Sequence, residues 1–337
     1  MSRRLMGPAF AALDLGTNNC RMLVATPCGG AFRVLDSFSR TVRLGEGLHR
    51  TGRLGDAGME RAMAALQACA DRLGHRPVKA MRAVATEACR RAANGAEFLA
   101  RVKQVTGLSI EVISSREEAE LAVESCAPLL EGVARRALLF DIGGGSTELA
   151  WVRIEPARRL ALIGYASLPV GVVTLAERFG AAGFTEPGLA AMVADVAARL
   201  RSFESVHCIA HEIRCGDVLL LGTSGTATTL AGVSLGLTRY SRPLVDGTVL
   251  SSGDAGQALE RLRALDRAEL ERHPCVGPDR VEFVLPGCAV FAAILELWPA
   301  PRIIVADRGL REGMLLRMMR GEWARPCRDW RKGVQSA

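Results

Sequence analysis

Aromatic residues are scarce in this sequence of 337 residues, at 5% of the chain. Because large rings are few, the core must be built mainly from Leu, Val, Ala and Ile. Hydrophobic residues still make up 49% of the chain and charged residues 23%, which is typical of a globular protein and argues against long disorder. The length is sufficient for two domains of ordinary size, each with its own core.

No Cys-x-x-Cys pair occurs among the ten cysteines. A small disulfide framework is not expected in a chain of this length. Cys20, Cys69, Cys89 and Cys288 lie among apolar neighbours and are interpreted as reduced core residues. The cytoplasm is therefore the expected compartment.

A long apolar run is also missing, so we expect no membrane span. The start of the chain, Met1 to Pro8, is basic but has neither the apolar run nor the small-residue cleavage site of a signal peptide. The formal net charge of +7 favours anionic partners only mildly, because a protein that is simply basic explains it equally well.

One pattern of strand, glycine turn and two further strands occurs twice, first around Asp14 and again around Asp141. Apolar spacing predicts helices over residues 56–74, 97–105, 117–126, 186–203, 286–298 and 310–319. We therefore expect an α/β protein with two related halves and a cleft between them, where ligands commonly bind.

Two Asp-Gly turns carry the first chemical signal, Asp14-Leu15-Gly16-Thr17-Asn18 and Asp141-Ile142-Gly143-Gly144-Gly145. Glycine lets backbone N–H groups approach a phosphate, and an adjacent carboxylate can hold Mg²⁺. Each turn alone is more often an ordinary hairpin. Two turns at corresponding places of a repeated pattern favour a phosphate site, to which Ser146 and Thr147 add side-chain donors.

A third glycine block, Gly222-Thr223-Ser224-Gly225-Thr226, follows a predicted strand and precedes a helix. Its N–H groups would face an anion from the helix start, although a simple helix cap has the same sequence. Hydrolysis also needs a base for water, and Glu117 and Glu118 at the start of a predicted helix are candidates. Alternatively, they only stabilise the helix dipole.

Together these blocks resemble the exopolyphosphatase and guanosine pentaphosphate phosphatase (Ppx/GppA) family, from about residue 10 to about residue 318. The matching blocks are Asp14 to Arg21, Thr86 to Asn94, Ile113 to Leu121, Asp141 to Glu148, Leu168 to Gly171, Gly222 to Thr226, Leu285 to Gly287 and Asp307 to Gly313. The resemblance implies two actin-like domains of the ribonuclease H-like ASKHA superfold with an interdomain cleft.

By this resemblance, we place an N-terminal actin-like domain at residues 1–126, a C-terminal one at residues 127–319 and a basic tail at residues 320–337. Long forms of the family carry an additional helical domain, so the chain looks like the short form. The family implies inorganic polyphosphate or guanosine pentaphosphate as the substrate, Mg²⁺ as the cofactor and a homodimer as an option.

The resemblance assigns the catalytic base to Glu118, which would deprotonate the attacking water, and places Asp141 and Glu148 near the metal and the water. Residues expected to hold phosphates are Asp14, Gly16, Thr17, Asn18, Arg21, Arg90, Gly143, Gly144, Gly145, Ser146, Thr147, Gly222, Thr223, Ser224, Gly225 and Thr226. The sequence departs from the family at Asn19, where Ser or Thr is usual, and at Ser115, where glycine is common.

Two other functions stay open at this point. A kinase or ATPase of the same superfold would also have two Asp-Gly turns, but the Glu117-Glu118 block and the C-terminal blocks favour a phosphatase. A non-catalytic protein that binds polyphosphate or alarmone could dispense with the base, whereas Glu118 is present.

Two further patterns, a group of histidines with a cysteine and the basic tail, are not expected to be functional sites. His207, His211 and Cys215 have ligand types that zinc accepts, but a fourth ligand is not evident. The tail combines arginines with Trp323 and Trp330, as in nucleic-acid binding segments. We expect the tail to be a solvated terminus, and nucleic acid is not an expected partner.

Overall fold

The computed structural model describes residues 7–155 and 160–322, which form two compact units. Unit 1 contains the described residues 7–121 and 310–322, and unit 2 contains residues 122–155 and 160–309. Each unit has its own β-sheet and its own hydrophobic core. The prediction of an α/β protein is therefore confirmed.

The sheet of unit 1 begins with the predicted meander. Its strands are β1 (Phe10–Leu15), β2 (Asn19–Cys28), β3 (Ala31–Thr41), β4 (Ala80–Ala85) and β5 (Glu111–Val112). They lie in the order β3-β2-β1-β4-β5, and β1 is antiparallel to β2 but parallel to β4. The carboxyl ends of β1 and β4 therefore lie at the same edge of the sheet.

Helices cover both faces of this sheet. They are α1 (Leu48–Thr51), α2 (Asp56–Gly74), α3 (Glu87–Arg91), α4 (Gly95–Thr106) and α5 (Ser115–Leu130). Because side chains alternate along a strand, Leu13 and Leu15 of β1 share one core cluster with Leu66 of α2. Phe10 and Ala12 point to the other face and belong to a second cluster.

The sheet of unit 2 repeats this arrangement. Its strands are β6 (Arg136–Ile142), β7 (Thr147–Ile154), β8 (Leu160–Leu168), β9 (Val218–Thr223), β10 (Val249–Ser251) and β11 (Arg302–Ala306). Counted from β8, the order is β8-β7-β6-β9-β11-β10, with β6 antiparallel to β7 and parallel to β9. The repeat inferred from the two turns thus extends to the strand order.

The helices of unit 2 are more numerous than the sequence predicted. They are α6 (Val172–Phe179), a 3-10 helix (Gly180–Phe184), α7 (Glu186–His207), α8 (Ile209–Cys215), α9 (Ser224–Ser234), α10 (Arg242–Val245), α11 (Ser252–Arg263), α12 (Arg267–Arg272) and α13 (Val281–Leu297). Helix α13 begins before Pro286, where we expected its start, because Val281 and Val284 already belong to its buried face. Within the described ranges, no helix is long and apolar enough to cross a membrane.

The closing helix, α14 (Leu310–Arg320), packs with unit 1, whereas we expected it in the second domain. The reason is apolar burial: Met314, Leu315 and Met318 share a core cluster with Phe10 and Ala12 of β1. The division after residue 121 also precedes the expected boundary after residue 126 and falls inside α5. Residues 323–337 of the expected tail lie outside the described residues.

Gly313 lets the backbone of α14 lie directly against the backbone of α5, since a Cβ at this position would clash with the carbonyl oxygen of Leu121 in α5. We expect Gly313→Ala to lower the free energy of unfolding by about 1–3 kcal/mol, because the two helix backbones must separate. Thermal unfolding of the purified variant measures this change.

Gly256→Ala in α11 is the matched control, because no atom lies within 4 Å of the added Cβ. Because glycine is unfavourable inside a helix, this substitution should raise the free energy of unfolding by about 0.5–1 kcal/mol. Equal effects of the two substitutions would contradict the packing of α14 on α5.

Candidate active site

The two Asp-Gly turns join β1 to β2 and β6 to β7, and their backbones are equivalent. The N–H of Gly16 donates to the carbonyl of Asn19 at 2.9 Å, and the N–H of Gly143 donates to the carbonyl of Ser146 at 2.9 Å. Both are therefore tight hairpins of one geometry. The side chains around each turn decide what it can bind.

The charges opposite the two aspartates differ. Asp14 faces Arg21 across β1 and β2, whereas Asp141 faces Glu148 at the equivalent position across β6 and β7. Side chains directly opposite on antiparallel strands lie on one face, with Cβ atoms about 4.5–5.5 Å apart. The first turn thus carries a pair of opposite charges, and the second carries two neighbouring carboxylates.

Glu148 is held by two serine hydroxyls. Its side chain is buried, at 3% exposure, and Ser146 and Ser167 donate to its Oε1 at 2.6 and 3.0 Å. We expected Ser146 to bind phosphate, and in the structure its hydroxyl binds Glu148. Sequence reasoning missed Ser167, because only the pairing of β7 with β8 places it opposite Glu148.

The start of α6 supports the glycine turn of unit 2. The N–H groups of Val172 and Val173 donate to the carbonyls of Gly143 and Gly144 at 3.0 and 2.8 Å. A Cβ at Gly171 would lie 2.5 Å from the carbonyl oxygen of Gly143, which explains the glycine of the Leu168 to Gly171 block. The orientation of this turn therefore depends on α6.

Thr147 is buried at the start of β7, next to the same turn. Its hydroxyl donates to the carbonyl of Val170 at 2.7 Å. The side chain that we expected to bind phosphate thus contributes to the support of the turn.

The segment after β3 supports the turn of unit 1. The N–H groups of Val42 and Arg43 donate to the carbonyl of Asn18 at 2.8 and 3.0 Å, and that of Gly45 donates to the carbonyl of Thr17 at 2.9 Å. These bonds fix the backbone on which the predicted phosphate-binding residues lie.

Two asparagines in this turn differ in their side-chain contacts. The amide oxygen of Asn19 accepts a bond from the hydroxyl of Thr41 at 3.3 Å, so the departure from the family retains a polar contact. The amide oxygen of Asn18 is buried and has no hydrogen-bond partner among the described residues. A buried polar atom without a partner is costly, and a bound water or ion is one explanation for it.

Glu118 lies in the first turn of α5 and contacts Arg90. One nitrogen of the Arg90 guanidinium lies 3.3 Å from Oε2 of Glu118 and donates to the carbonyl of Ile113 at 2.8 Å. The other donates to Oε2 of Glu87 at 2.7 Å. Arg90, which we expected to bind phosphate, is thus also bound to the predicted base.

The charge of Arg90 is firmly maintained. Burial lowers the pKa of its guanidinium, but the carboxylates of Glu118 and Glu87 raise this pKa by more, so that it lies above its ordinary value. Sequence reasoning missed Glu87, although its spacing of three residues from Arg90 places both side chains on one side of α3.

The strand and the helix predicted on either side of the third glycine block are present, but the helix, α9, already begins within the block, at Ser224. The hydroxyl of Thr223 donates to the carbonyl of Arg308, and that of Ser224 donates to the carbonyl of Ile142 at 2.8 Å. Ser224 has a φ of 70°, which is uncommon for a residue other than glycine. Because both hydroxyls bind carbonyls, the predicted anion binding by this block would have to use the N–H groups at the helix start.

Gly222 of this block and Gly287 of the Leu285 to Gly287 block have packing roles. A Cβ at Gly222 would lie 2.7 Å from the ring of Phe140. A Cβ at Gly287 would clash with the hydroxyl of Thr226. Gly222 therefore makes room for the Phe140 ring beside β9, and Gly287 lets α13 approach α9.

The Asp307 to Gly313 block contributes ion pairs to unit 2. Arg308 binds Asp246 at 2.8 Å, and the hydroxyl of Tyr240 donates to Asp307 at 2.6 Å. Burial raises the pKa of Tyr240, and the bond to Asp307 raises it further. Tyr240 is therefore a neutral hydrogen-bond donor in this network.

The histidines and cysteine that resembled a zinc site do not form one. The ring of His207 packs on Phe203 with centroids 4.5 Å apart, and His211 Nε2 lies 3.5 Å from Cys215 Sγ. Within residues 7–155 and 160–322, no three His, Cys, Asp or Glu side chains are grouped to hold a metal ion.

The predicted site residues thus form two groups, one in each unit. Unit 1 contains Arg21, Arg90 and Glu118, and unit 2 contains Asp141 and Glu148 with the glycine turn. The two sheets share an equivalent strand order, and each contains one Asp-Gly hairpin. This arrangement defines a protein of the actin-like superfold. A model of the Ppx/GppA phosphatase family matches residues 23–322, and the chain belongs to this family.

Individual relatives agree with this assignment. The chain is 33% identical over 312 residues to the guanosine-5'-triphosphate,3'-diphosphate pyrophosphatase of Aeromonas salmonicida, a match that covers 91% of the chain. It spans 59% of the length of that relative.

Solved structures of the family share the fold. The Aquifex aeolicus member of the Ppx/GppA family is 28% identical, with a TM-score of 0.76, over 94% of this chain and 99% of that one. An exopolyphosphatase-like protein is 27% identical, with a TM-score of 0.83, over 95% of this chain and 100% of that one.

Gly171→Ala tests whether α6 fixes the glycine turn. The added Cβ would push the carbonyls of Gly143 and Gly144 away, so we expect a loss of roughly 10- to 100-fold in kcat/KM for phosphoanhydride hydrolysis. Release of orthophosphate measures it. Gly253→Ala, whose added Cβ lies 3.6 Å from Ser251 Oγ, should retain activity, and equal activity of both variants would contradict the account.

Proposed function

We propose that this protein hydrolyses the terminal phosphoanhydride of inorganic polyphosphate, of guanosine pentaphosphate, or of both. Water attacks the terminal phosphorus and gives its proton to Glu118, and the bond from this phosphorus to the bridging oxygen breaks. The products are orthophosphate and a chain one phosphate shorter, which is the tetraphosphate in the case of the alarmone. The names of two relatives, a guanosine pyrophosphatase and an exopolyphosphatase-like protein, support these substrates.

The unequal charge of the two equivalent turns carries this proposal. Asp14 is opposite a cation, Arg21, whereas Asp141 is opposite another carboxylate, Glu148. A phosphate chain needs cationic and N–H donors, and a divalent cation needs carboxylates. The first turn therefore suits the anionic substrate, and the second suits the metal that accompanies it.

The residues of the second turn fit Mg²⁺. Two carboxylates opposite each other repel, and a cation between them offsets this repulsion. Mg²⁺ prefers oxygen ligands, takes one or two carboxylates and keeps several waters, which suits Asp141 and Glu148. When bound, the ion neutralises charge on the phosphates. Ser146 and Ser167 would orient Glu148 towards it.

Glu118 is suited to be the base because its position is fixed. Its backbone N–H donates to the carbonyl of Ser114 at 3.0 Å, and its carboxylate contacts Arg90. A general base contributes only when it lies within hydrogen-bond reach of the water proton, so a rigid helix start is an advantage. Phosphoryl transfer depends mainly on such positioning and on charge neutralisation.

Backbone N–H groups would bind most of the phosphate oxygens. Glycines at positions 16, 143, 144 and 145 allow close approach of N–H groups, and Arg21 adds a guanidinium. Arg90 keeps its contact with Glu118 and adds positive charge near the attacking water.

Glu118→Ala tests the role of the base. We expect kcat for orthophosphate release to fall by about 10²- to 10⁴-fold, the usual contribution of a general base, with little change in thermal stability. The assay compares long polyphosphate and guanosine pentaphosphate side by side without any acceptor, so it also identifies the preferred substrate.

Glu120→Ala is the matched control for this substitution. Glu120 lies on the same helix, two residues later, and pairs with the exposed Arg116 at 2.9 Å. Exposed pairs of this kind contribute little, so turnover should stay close to that of the wild type. Near wild-type turnover in Glu118→Ala would show that Glu118 is not the base.

Asp141→Asn tests the metal assignment. The substitution keeps the shape of the side chain but removes one negative charge opposite Glu148, so the variant should need a higher Mg²⁺ concentration for half-maximal activity, by roughly 10-fold or more. Titration of Mg²⁺ into enzyme treated with a chelator measures this shift. An unchanged Mg²⁺ dependence would show that Asp141 does not hold the ion.

A further inference from the structure

A buried arginine lies on the apolar face of the unit 1 sheet. Arg82 is in β4, between Ala80 and Val84 on the same face, and opposite Ala12 of β1. Ala80, Val84 and Ala12 all belong to an apolar core cluster, and Arg82 is only 4% exposed. A charged side chain therefore occupies a position where its neighbours are small and apolar.

Arg82 binds two carboxylates on different elements. Its Nε donates to Oε1 of Glu111 in β5 at 2.6 Å, and its Nη2 donates to Oε1 of Glu117 in α5 at 2.6 Å. Burial lowers the pKa of Arg82, but its bonds to the carboxylates of Glu117 and Glu111 raise this pKa above its ordinary value. We refer to Arg82, Glu111 and Glu117 as the Arg82 bridge.

Packing alone does not account for this bridge. Taking a guanidinium out of water is costly, and apolar residues of similar volume often replace a buried ion pair without loss of stability. An apolar residue cannot, however, fix two carboxylates at defined places. The property specific to Arg82 is that it ties the start of α5 to β4 and β5.

Glu118 lies between two fixed points of α5. On one side, Glu117 is bound by Arg82, and its N–H donates to the hydroxyl of Ser114 at 3.1 Å. On the other side, Leu121 lies against Gly313 of α14, where there is no room for a side chain. A shift of the first turn of α5 would therefore move Glu118 relative to Arg90.

We propose that Arg82 is a positioning residue for Glu118: by binding Glu117, it fixes the first turn of α5 and with it the carboxylate of Glu118. The inference rests on the proposed role of Glu118 as the base. Arg82 itself does not touch the reacting atoms.

The bridge offers a matched pair of variants. Glu117→Ala and Glu111→Ala each remove one ion pair of Arg82, both of 2.6 Å, from carboxylates with side-chain exposures of 32% and 33%. Both variants should lose similar thermal stability. Only Glu117→Ala removes the link to α5, so its kcat should fall by about 10-fold or more with KM within about twofold, whereas Glu111→Ala should keep kcat within about twofold.

A conservative variant and a readout other than activity complete the experiment. Glu117→Gln keeps an acceptor for Arg82 and should recover part of the kcat lost in Glu117→Ala. Hydrogen exchange of the Glu118 amide, which donates to the carbonyl of Ser114, should be faster in Glu117→Ala than in Glu111→Ala.

The outcomes separate this inference from the proposed function. An unchanged kcat in Glu117→Ala, or equal losses of kcat in both alanine variants, would overturn the positioning role. If the wild type releases no orthophosphate, or Glu118→Ala remains active, the proposed function fails instead. The exchange data still decide the inference in that case: faster exchange in Glu117→Ala alone supports it, and equal exchange in both variants overturns it.

Discussion

Asp141 and Glu148 face each other as two carboxylates, and the proposed chemistry of this protein depends on that pairing. The equivalent position of the first hairpin carries Asp14 and Arg21, so one backbone geometry presents two different charge patterns. Neighbouring carboxylates need a cation, whereas an arginine beside a glycine turn suits a phosphate. In the proposed function, the residue opposite each aspartate would give the two equivalent hairpins separate tasks.

The proposed base, Glu118, belongs to neither hairpin, and two arginines contact it or its neighbour. Arg90 contacts the carboxylate of Glu118 directly and also binds Glu87, while Arg82 acts on the preceding residue, Glu117. Both arginines are substantially buried and keep pKa values above the ordinary range because of these carboxylates. Burying these guanidinium groups is costly, and in the proposed function they would fix the helix start that positions the base.

Much of the fold and of the site follows from local sequence. The Asp-Gly turns and the repeated strand pattern can each be recognised from a short block of sequence. The family assignment depends on several such blocks. The hydroxyls of Thr223 and Ser224 are predicted to bind phosphate, because the sequence does not show that strand pairing brings them next to backbone carbonyls more than 80 residues away. Ser146 differs, since its partner, Glu148, lies only two residues further along the chain. The place of α14 likewise depends on which core accepts its apolar face, and that is a property of the assembled unit.

The most direct test of hydrolysis is orthophosphate release from polyphosphate and from guanosine pentaphosphate in water enriched in ¹⁸O, without an acceptor. Mass spectrometry of the released orthophosphate shows where its fourth oxygen came from. The account predicts one solvent oxygen in every orthophosphate released by the wild type, and almost no release by Glu118→Ala. Orthophosphate without solvent oxygen, or transfer of the phosphoryl group to an added acceptor in place of water, would contradict it.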